Sequence, residues 1–306
     1  MKEIRIATRP SKLAVKQAEI VADLLRKKYP EIKARIIKFA TNADKNVNVP
    51  ITELGGKGIF VKELEQALRK NEADIAIHSV KDMPSIMLED FTMPAILTRA
   101  NAEDVLISKN DIKLHNLPAG AIVGTSSLRR KLQLKKLRPD LNFKEIRGNI
   151  DTRINKVSQS YDAIILAYAG LERLNLTEKI SEIFPLETLL PAAGQAALGI
   201  ECLRSKSDII KMIAALDDPN TAACVISERT LMSQLGGHCQ APIAAYAQLK
   251  SQKICLTSRV IDKYSGKVLE VSKYAEISKP KELGKLVAEE LLSLGAQKII
   301  VNALER

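Results

Sequence analysis

The sequence predicts an α/β protein of two similar lobes followed by a small C-terminal α+β domain with an antiparallel sheet. Its 306 residues exceed the usual size of a single core. A strand-helix-strand-helix-strand pattern occurs twice along residues 4–170. After Pro219 the pattern changes to strands with alternating apolar residues. We expect a first lobe over 1–98 with 195–216, a second over 99–194, and a third domain over 217–306.

In the first lobe, strands are predicted over 4–7, 32–39 and 74–77. Ser11 is an N-cap candidate for the first helix, which ends at Pro30. A loop carrying Gly55-Gly56-Lys57-Gly58 precedes the second helix, predicted over 60–70. Because the loop lacks the full spacing of a phosphate-binding loop, we interpret it as a flexible lid, with an isolated turn as the alternative. Strand, helix, strand, helix, strand predicts a parallel sheet with right-handed crossovers.

The second lobe repeats this order. Its strands are predicted over 121–124, 143–146 and 163–166, and its helices begin near Leu128 and Asn149. The segment 189–195 is interpreted as a crossover back to the first lobe. In the third domain we predict strands over 254–260 and 268–275 and an amphipathic helix over 281–294.

Polar side chains follow the predicted strands at their carboxyl ends, where open α/β sheets bind ligands. Between residues 118 and 153 there are nine basic residues and three acidic ones, which gives over half of the chain's net charge of +11. Arginines at strand–helix junctions suit carboxylates. The pattern predicts an arginine-lined cleft between the lobes for a carboxylate-rich substrate. The residues at these ends are Arg9, Ser11, Lys81, Asp82, Thr125 to Arg130, and Arg147.

Other partners and sites are less consistent with the pattern. Lys131, Lys135, Lys136 and Arg138 are interpreted as a solvated helix face, and no nucleic-acid recognition motif appears. The N-terminus has no apolar signal core, and the longest uncharged run, 230–249, contains glycines and a proline. The four cysteines form no C-x-x-C pair, so neither a disulfide framework nor a zinc site is expected. We expect a cytoplasmic protein without a metal.

Several single residues have two interpretations on the sequence alone. Asp82 is either a surface ion-pair partner or a functional carboxylate. Cys239 lies in a Gly-Gly-His-Cys loop and is either a buried core thiol or a reactive one. The remaining cysteines (Cys202, Cys224 and Cys255) are predicted to lie in the core. His78 is predicted to orient the turn at Asp82, and His115 to lie on the surface.

The chain resembles the hydroxymethylbilane synthase family, also called porphobilinogen deaminase. The motifs that carry the resemblance are collinear over essentially the whole chain and lie at residues 9–14, 55–65, 78–84, 124–130, 147–153 and 190–201. The resemblance implies two lobes like those of periplasmic binding proteins plus a third domain, in a monomer. It also implies the polymerisation of four porphobilinogen molecules with loss of ammonia, followed by hydrolytic release of hydroxymethylbilane.

By the same resemblance, a dipyrromethane cofactor is attached to Cys239 by a thioether, and Asp82 is the catalytic group that stabilises the cation formed on deamination. The implied cofactor-binding residues are Lys81, Asp82, Thr125, Ser126, Ser127, Arg129, Arg130, Arg147 and Gly148. The implied substrate-binding residues are Arg9, Ser11, Gln17, Arg147, Arg153, Arg173 and Gln195. Lys57 and Phe60 are implied for the lid.

Four positions depart from the family pattern. Ala43 precedes Asp44 where a glycine is common, and Glu53 stands where a lysine is frequent. Ala196 and His238 each replace a frequent glycine. None of these changes removes a catalytic group, so activity is still expected, although the lid is expected to behave differently.

An alternative from another class is a bilobal binding protein for an organic anion that performs no chemistry. Such a protein would need neither a tethered cofactor nor a cysteine loop in a third domain. A nucleic-acid binder is a more distant alternative, which loss of binding on substitution of Lys131, Lys135 and Lys136 would support.

Overall fold

The computed structural model describes residues 3–41, 61–237 and 241–304. They form two compact units, Met1–Arg99 with Ala197–Ala222 and Ala100–Ala196 with Ala223–Arg306. The first unit holds one five-stranded sheet, and the second holds a five-stranded and a three-stranded sheet. The predicted fold class, two α/β lobes followed by a small antiparallel α+β part, is confirmed. The division into three domains at the stated boundaries stays a prediction.

The strands have the following bounds in chain order: β1 (Glu3–Thr8), β2 (Lys33–Lys38), β3 (Ile75–Ser79), β4 (Phe91–Ile96), β5 (Asp104–Ser108), β6 (Ile122–Gly124), β7 (Asn142–Lys144), β8 (Ala163–Ala167), β9 (Glu182–Ile183), β10 (Leu198–Leu203), β11 (Ile243–Lys250), β12 (Lys253–Ile261) and β13 (Val268–Glu276). The helices are α1 (Lys12–Lys28), α2 (Lys62–Arg69), α3 (Leu128–Leu137), α4 (Ile150–Asn155), α5 (Tyr168–Arg173), α6 (Ser207–Ala214), α7 (Pro219–Gln234), α8 (Pro280–Ser293) and α9 (Ala296–Leu304).

The three strands predicted in each lobe pair in parallel, as expected, but both lobe sheets are mixed because other strands join them in the opposite direction. The first sheet has the order β2-β1-β3-β10-β4, in which β10 runs antiparallel to β3 and β4. The second has the order β7-β6-β8-β5-β9, in which β5 runs antiparallel to β8. The returning segment enters the first sheet between two existing strands and runs against them. The order of the elements along the chain does not predict which strands β10 pairs with.

Helix α1 illustrates why these elements form where they do. The Ser11 hydroxyl accepts a hydrogen bond from the Ala14 N–H at 3.3 Å, which caps the helix, and three basic residues occupy its last turn. Its buried face includes Val21 and Leu25, which pack in one cluster with Ile4 and Ile6 of β1. That packing holds the carboxyl end of β1 and the amino end of α1 in a fixed position.

The second unit packs in the same layered way. Apolar residues of β6 and β8 contact Leu134 of α3 on one face, and β5 and β8 contact Leu171 of α5 on the other. Its three-stranded sheet, β11-β12-β13, is antiparallel throughout and is covered by α7, α8 and α9. Helices α7 and α8 approach so closely that a Cβ added at Gly284 would lie 2.5 Å from the Ser227 carbonyl oxygen.

Candidate active site

In the first unit, two polar loops leave the same edge of the sheet, because β1 and β3 are parallel neighbours. Thr8 ends β1, and its hydroxyl donates to the Ala14 carbonyl of α1 at 2.9 Å. Arg9 and Ser11 follow and are both half-buried. The first polar loop is therefore held against the first turn of α1.

The loop after β3 carries Lys81 and Asp82 on a short 3-10 turn, Val80–Asp82. Lys81 is half-buried and Asp82 is exposed. The Val80 N–H donates to the Ala197 carbonyl at 3.0 Å, which ties the turn to the start of β10. Gln17, a predicted substrate-binding residue, is only 5% exposed, and its amide donates to the Ser79 hydroxyl at 2.9 Å. The contact seen for Gln17 therefore supports the base of the Asp82 turn.

His78, on β3 just before this turn, contacts a buried carboxylate. Its Nε2 lies 2.8 Å from the Glu201 Oε2 atom on β10, and the two side chains are 5% and 0% exposed. The other carboxylate oxygen, Oε1, is buried without a hydrogen-bond partner in the described residues. Burial and the charge of Glu201 raise the pKa of Glu65 on α2, while His78 and Arg69 lower it. His78 thus belongs to a buried acidic cluster, in addition to any effect on the Asp82 turn.

In the second unit, the loops after β6 and β7 are tied to each other. The Ser126 hydroxyl donates to the Ile146 carbonyl at 2.7 Å and accepts from the Ile146 N–H at 3.2 Å. The Thr125 hydroxyl accepts from the Ser127 N–H, and the Ser127 hydroxyl caps α3. No acidic residue occupies the first turn of α3. The predicted cofactor-binding serines and threonine therefore surround a helix N-terminus that favours anions.

Gly148 explains the geometry of the loop after β7. Its φ angle is +110°, which strains any residue with a Cβ, and an added Cβ would lie 2.7 Å from the Thr152 Cγ2 atom. The Arg153 Nε–H donates to the Gly148 carbonyl at 2.7 Å, and the Lys156 ammonium donates to the Arg147 carbonyl at 3.2 Å. Arg147 and Arg153 are half-buried, so part of each side chain remains at the surface.

Arg129 and Arg130 are more buried than their predicted role suggests, at 4% and 8% exposed. Both guanidinium groups donate to one carboxylate, that of Asp104, at 2.7 and 2.6 Å. Each also donates to a backbone carbonyl, that of Leu190 or Ile165. Burial and the charge of Arg130 lower the pKa of Arg129, and Asp104 raises it. The Arg130 Nε atom is buried without a hydrogen-bond partner in the described residues.

The segment between Leu190 and Ala196 is fixed at both ends by buried side chains. The Gln133 amide binds both backbone groups of Leu190. The Glu228 carboxylate is fully buried and accepts from the N–H groups of Gly194 and Ala247 at 2.6 and 2.7 Å. Glu228 therefore joins this segment to β11 of the three-stranded sheet.

Gln195 and Arg173, both predicted to bind substrate, contact the protein here. The Gln195 amide is fully buried and donates to the Ala102 carbonyl and to Asp104. The Arg173 guanidinium donates to the Ala196 carbonyl at 2.6 Å, and burial lowers the pKa of Arg173 to about 10. Ala196 has a φ of +69°, which explains why a glycine suits this position.

The approach to Cys239 is built by a helix-ending motif. Gly236 adopts a left-handed conformation, and the N–H groups of Gly236 and Gly237 donate to the carbonyls of Ser233 and Met232. This is the Schellman pattern that ends a helix such as α7. An added Cβ at Gly237 would lie 2.7 Å from the Ile243 Cδ1 atom. The predictions made for Cys239, Lys57, Phe60, Glu53, Asn42, Ala43 and His238 lie outside the described residues.

Other predictions concern charge and core residues. Arg138 is not part of a solvated face: its guanidinium donates to the carbonyls of Leu114 and Leu117 and to Asp140. Its position at the end of α3 lets it bind the preceding loop. The three described cysteines are buried, as predicted. Within the described residues there is no cluster of three or more potential metal ligands, and no helix has the length and apolarity to cross a bilayer.

Two family models match most of the chain. The model "Porphobilinogen deaminase, dipyromethane cofactor binding domain" matches residues 4–211, and "Porphobilinogen deaminase, C-terminal domain" matches 222–293. The chain belongs to the porphobilinogen deaminase family. The porphobilinogen deaminase of Maridesulfovibrio salexigens is 44% identical over 100% of both chains. That of Burkholderia vietnamiensis is 44% identical over 98% of this chain and 91% of its own.

Solved structures with a similar chain path include binding proteins. The methionine binding protein MetQ is 12% identical and has a TM-score of 0.46, covering 70% of this chain and 89% of its own. The VFT2 domain of Bordetella pertussis BvgS is 14% identical, with a TM-score of 0.42, covering 70% of this chain and 86% of its own.

Membership of the porphobilinogen deaminase family gives the chain its activity. It is a hydroxymethylbilane synthase of tetrapyrrole biosynthesis, and it uses a dipyrromethane cofactor. The family implies porphobilinogen as the substrate. The enzyme interpretation that the motifs predicted is therefore confirmed.

The second unit has donors that fit a cofactor with carboxylate side chains. The N-terminus of α3 carries no acidic residue, two hydroxyl groups flank it, and the buried Arg130 Nε atom lacks a partner in the described residues. Arg147 and Arg153 add half-buried cations on the neighbouring loop. Carboxylates are the ligands that such a set of N–H groups and guanidinium groups prefers.

Sequence reasoning missed Asp104, Gln133 and Glu228, which hold the predicted binding residues in place. Each is polar and at most 5% exposed. Asp104 begins the apolar run Val105-Leu106-Ile107, and an acidic residue at the start of a buried strand is a signal that could have indicated a paired carboxylate. Gln133 and Glu228 lie within helices and carry no comparable signal.

Proposed function

We propose that this porphobilinogen deaminase joins four porphobilinogen molecules head to tail, releases ammonia at each addition, and hydrolyses the finished hydroxymethylbilane from a primer anchored at Cys239. The collinear motifs over the whole chain support this detail beyond the family assignment. When bound, the dipyrromethane supplies the pyrrole carbon to which the first substrate unit is joined. A monomeric, cytoplasmic enzyme is part of the proposal, and the absence of disulfides among the three described cysteines is consistent with it.

Asp82 is proposed as the catalytic residue. It stands on a turn fixed by Val80 and by the contact between Gln17 and Ser79, so its exposed carboxylate projects from a rigid base. A carboxylate held in this way stabilises positive charge that develops on a substrate as ammonia leaves. It can also accept hydrogen bonds from pyrrole N–H groups and so orient the ring.

The observation that carries the proposed binding role is the donor set at the carboxyl ends of β6 and β7. Ser126 and Ser127 flank the N-terminus of α3, and Arg147 and Arg153 are half-buried on the adjoining loop. Each porphobilinogen unit carries two carboxylates, so a growing chain needs several such donors. We propose that the cofactor carboxylates bind at Thr125, Ser126, Ser127, Arg129, Arg130, Arg147 and Gly148. The substrate carboxylates are proposed to bind at Arg9, Ser11, Arg147, Arg153 and Arg173. Lys81 is proposed for the cofactor, Gln17 and Gln195 for the substrate.

The covalent anchor is tested by intact mass. We expect the purified protein to exceed its sequence mass by one dipyrromethane. Cys239→Ser should remove that increment from a folded protein, and the control Cys255→Ser, at a buried thiol of β12, should keep it. Retention of the increment in Cys239→Ser would place the anchor on another residue.

The role of Asp82 is tested by Asp82→Asn, which preserves shape and removes charge. We expect the cofactor mass to be retained and turnover to fall by about 10²–10³-fold, the usual effect of losing one preorganised electrostatic group. Asp208→Asn, at an exposed position of α6 in the same unit, is the matched control and should keep normal turnover. Turnover within a fewfold of normal in Asp82→Asn would exclude the assigned role.

A further inference from the structure

Asp104 is the common acceptor of the second unit's buried donors. It is the first residue of β5, which runs antiparallel to β8, so Asp104 pairs with Ala167 at the carboxyl end of β8. This places its carboxylate at the edge of the sheet from which the loops after β6 and β8 emerge. The side chain is fully buried. A carboxylate in such a place needs strong donors to compensate for its lost hydration.

The three donors to Asp104 come from two different segments, the first turn of α3 and the loop before β10. Arg129 donates to Oδ2 at 2.7 Å, Arg130 to Oδ1 at 2.6 Å, and Gln195 to Oδ1 at 2.9 Å. These three residues were predicted from the sequence as binding residues, and none of them lies next to Asp104 in the chain. One carboxylate therefore determines where two guanidinium groups and one amide are held.

The charges of this cluster do not balance internally. Two guanidinium groups face one carboxylate, and the third donor, Gln195, is neutral. One positive charge is left at a buried position, and the Arg130 Nε atom has no acceptor in the described residues. An excess buried cation with an unused donor fits a ligand carboxylate.

We propose that Asp104 is a positioning residue of this enzyme: it holds Arg129 and Arg130 side by side and neutralises one of their two charges, so that the pair presents one positive charge to a carboxylate of the cofactor or substrate. This inference rests on the proposed function, in which the two arginines bind carboxylates. Without Asp104, two like charges would repel at close range in a buried site, and neither guanidinium would keep its present orientation.

The test compares Asp104→Asn with Asp162→Asn. Asp162 is a matched control because its Oδ2 accepts the Ile122 N–H at 2.7 Å in the same lobe, and within the described residues it shares no hydrogen bond with either arginine. For each variant the fraction of chains with the cofactor mass, KM for porphobilinogen, kcat of the loaded chains and the thermal midpoint are measured. We expect Asp104→Asn to lower the loaded fraction and raise KM about tenfold or more, as loss of a group that supports a binding side chain commonly does.

Asp162→Asn should lower the midpoint while leaving the loaded fraction and KM within about twofold, a change smaller than the loss of one hydrogen bond to the ligand. The two variants are assayed at temperatures equally far below their own thermal midpoints. Equal effects of the two on KM and on the loaded fraction would overturn the proposal. In that case Asp104 would contribute only to folding.

A comparison in a background without the two arginines keeps the proposal testable if Asp104→Asn does not fold. Arg129→Gln/Arg130→Gln is compared with the same chain carrying Asp104→Asn as well, which contains none of these buried charges. Since Asp104 acts through the arginines, adding Asp104→Asn should change KM by less than about twofold in this background. A further loss of about tenfold would show that Asp104 acts by another route.

The same variants separate failure of this inference from failure of the proposed function. If Arg129→Gln/Arg130→Gln loads cofactor and binds porphobilinogen normally, the arginines do not bind carboxylates and the proposed function is wrong at this site. If that variant loses loading and Asp104→Asn does not, the arginines bind as proposed and only the positioning role of Asp104 fails.

Discussion

Replacement of Glu228 by glutamine tests how much stability comes from the link between the segment 190–196 and the three-stranded sheet. Glu228 lies on α7, is fully buried, and joins Gly194 to Ala247 by two short hydrogen bonds, of 2.6 and 2.7 Å. Glutamine has nearly the same shape but only one acceptor oxygen. One of the two N–H groups would therefore face the NH₂ group of the new amide.

The expected loss of stability follows from those two contacts. Losing a hydrogen bond to a charged acceptor costs about 1.5–3 kcal/mol, and leaving a buried N–H group unsatisfied costs about 1–3 kcal/mol more. We expect the free energy of unfolding of this unit to fall by about 3–5 kcal/mol. At about 2–4 °C per kcal/mol, the thermal midpoint should fall by about 6–20 °C.

The assay is denaturant unfolding followed by circular dichroism, with the thermal midpoint as a second measurement. Glu289→Gln makes the same chemical change at an exposed position of α8 and should leave stability within about 0.5 kcal/mol. A loss below about 1 kcal/mol in Glu228→Gln would refute the reasoning, because it would mean that the two backbone donors find other acceptors at no cost.

Three further variants test the geometry. Gly284→Ala should lower the free energy of unfolding of the second unit by about 1–3 kcal/mol, because the added Cβ would lie 2.5 Å from a backbone oxygen, and this outweighs the better helix propensity of alanine. Denaturant unfolding measures the change, with Lys285→Ala as the control, and a stabilised Gly284→Ala protein would contradict the prediction. Gly148→Ala should lower both the thermal midpoint and the loaded cofactor fraction, measured by intact mass, because φ is +110° and the Cβ meets Thr152. Glu65→Gln should stabilise the first unit more at pH 7 than at pH 4, measured by denaturant unfolding at both values; an equal effect would contradict the raised pKa of Glu65.

The sign of the last prediction follows from linkage. Burial, the largest cause, and the charge of Glu201 raise the pKa of Glu65 above its ordinary value. The folded state therefore favours the protonated acid. Stability is greatest below the unfolded pKa near 4.5 and falls as pH rises through the folded value. Glutamine cannot ionise, so it removes this loss only at the higher pH.

Local signals in the sequence predicted the elements whose causes are local. Ser11 and Pro30 mark the two ends of α1 to within two residues, because a cap and a proline act over a few residues. The alternation in β12 and β13 likewise predicted their antiparallel pairing. The direction of β10 was not predicted, because it depends on which strands pair with it after a crossover. That pairing joins residues of β10 and β3 about 120 positions apart.

The binding residues of the candidate site stay predictions from the motifs, and the residues that hold them in place were not predicted. Arg129, Arg130 and Gln195 were identified by their motifs, but their shared acceptor, Asp104, lies 25, 26 and 91 residues away in the chain. Spacing rules describe contacts along one helix or one strand. They do not predict which acidic residue a distant segment brings to a buried arginine.

The buried carboxylates also change how the charge of the second lobe should be understood. Nine basic residues lie between 118 and 153. Two of them, Arg129 and Arg130, share Asp104 from outside that range, and Arg138 binds Asp140. Attraction of a polyanionic substrate to this lobe therefore depends on fewer charges than the count implies. Because buried charges are screened less than exposed ones, substrate affinity set by the arginine pair should resist added salt better than affinity set by the exposed Lys135 and Lys136.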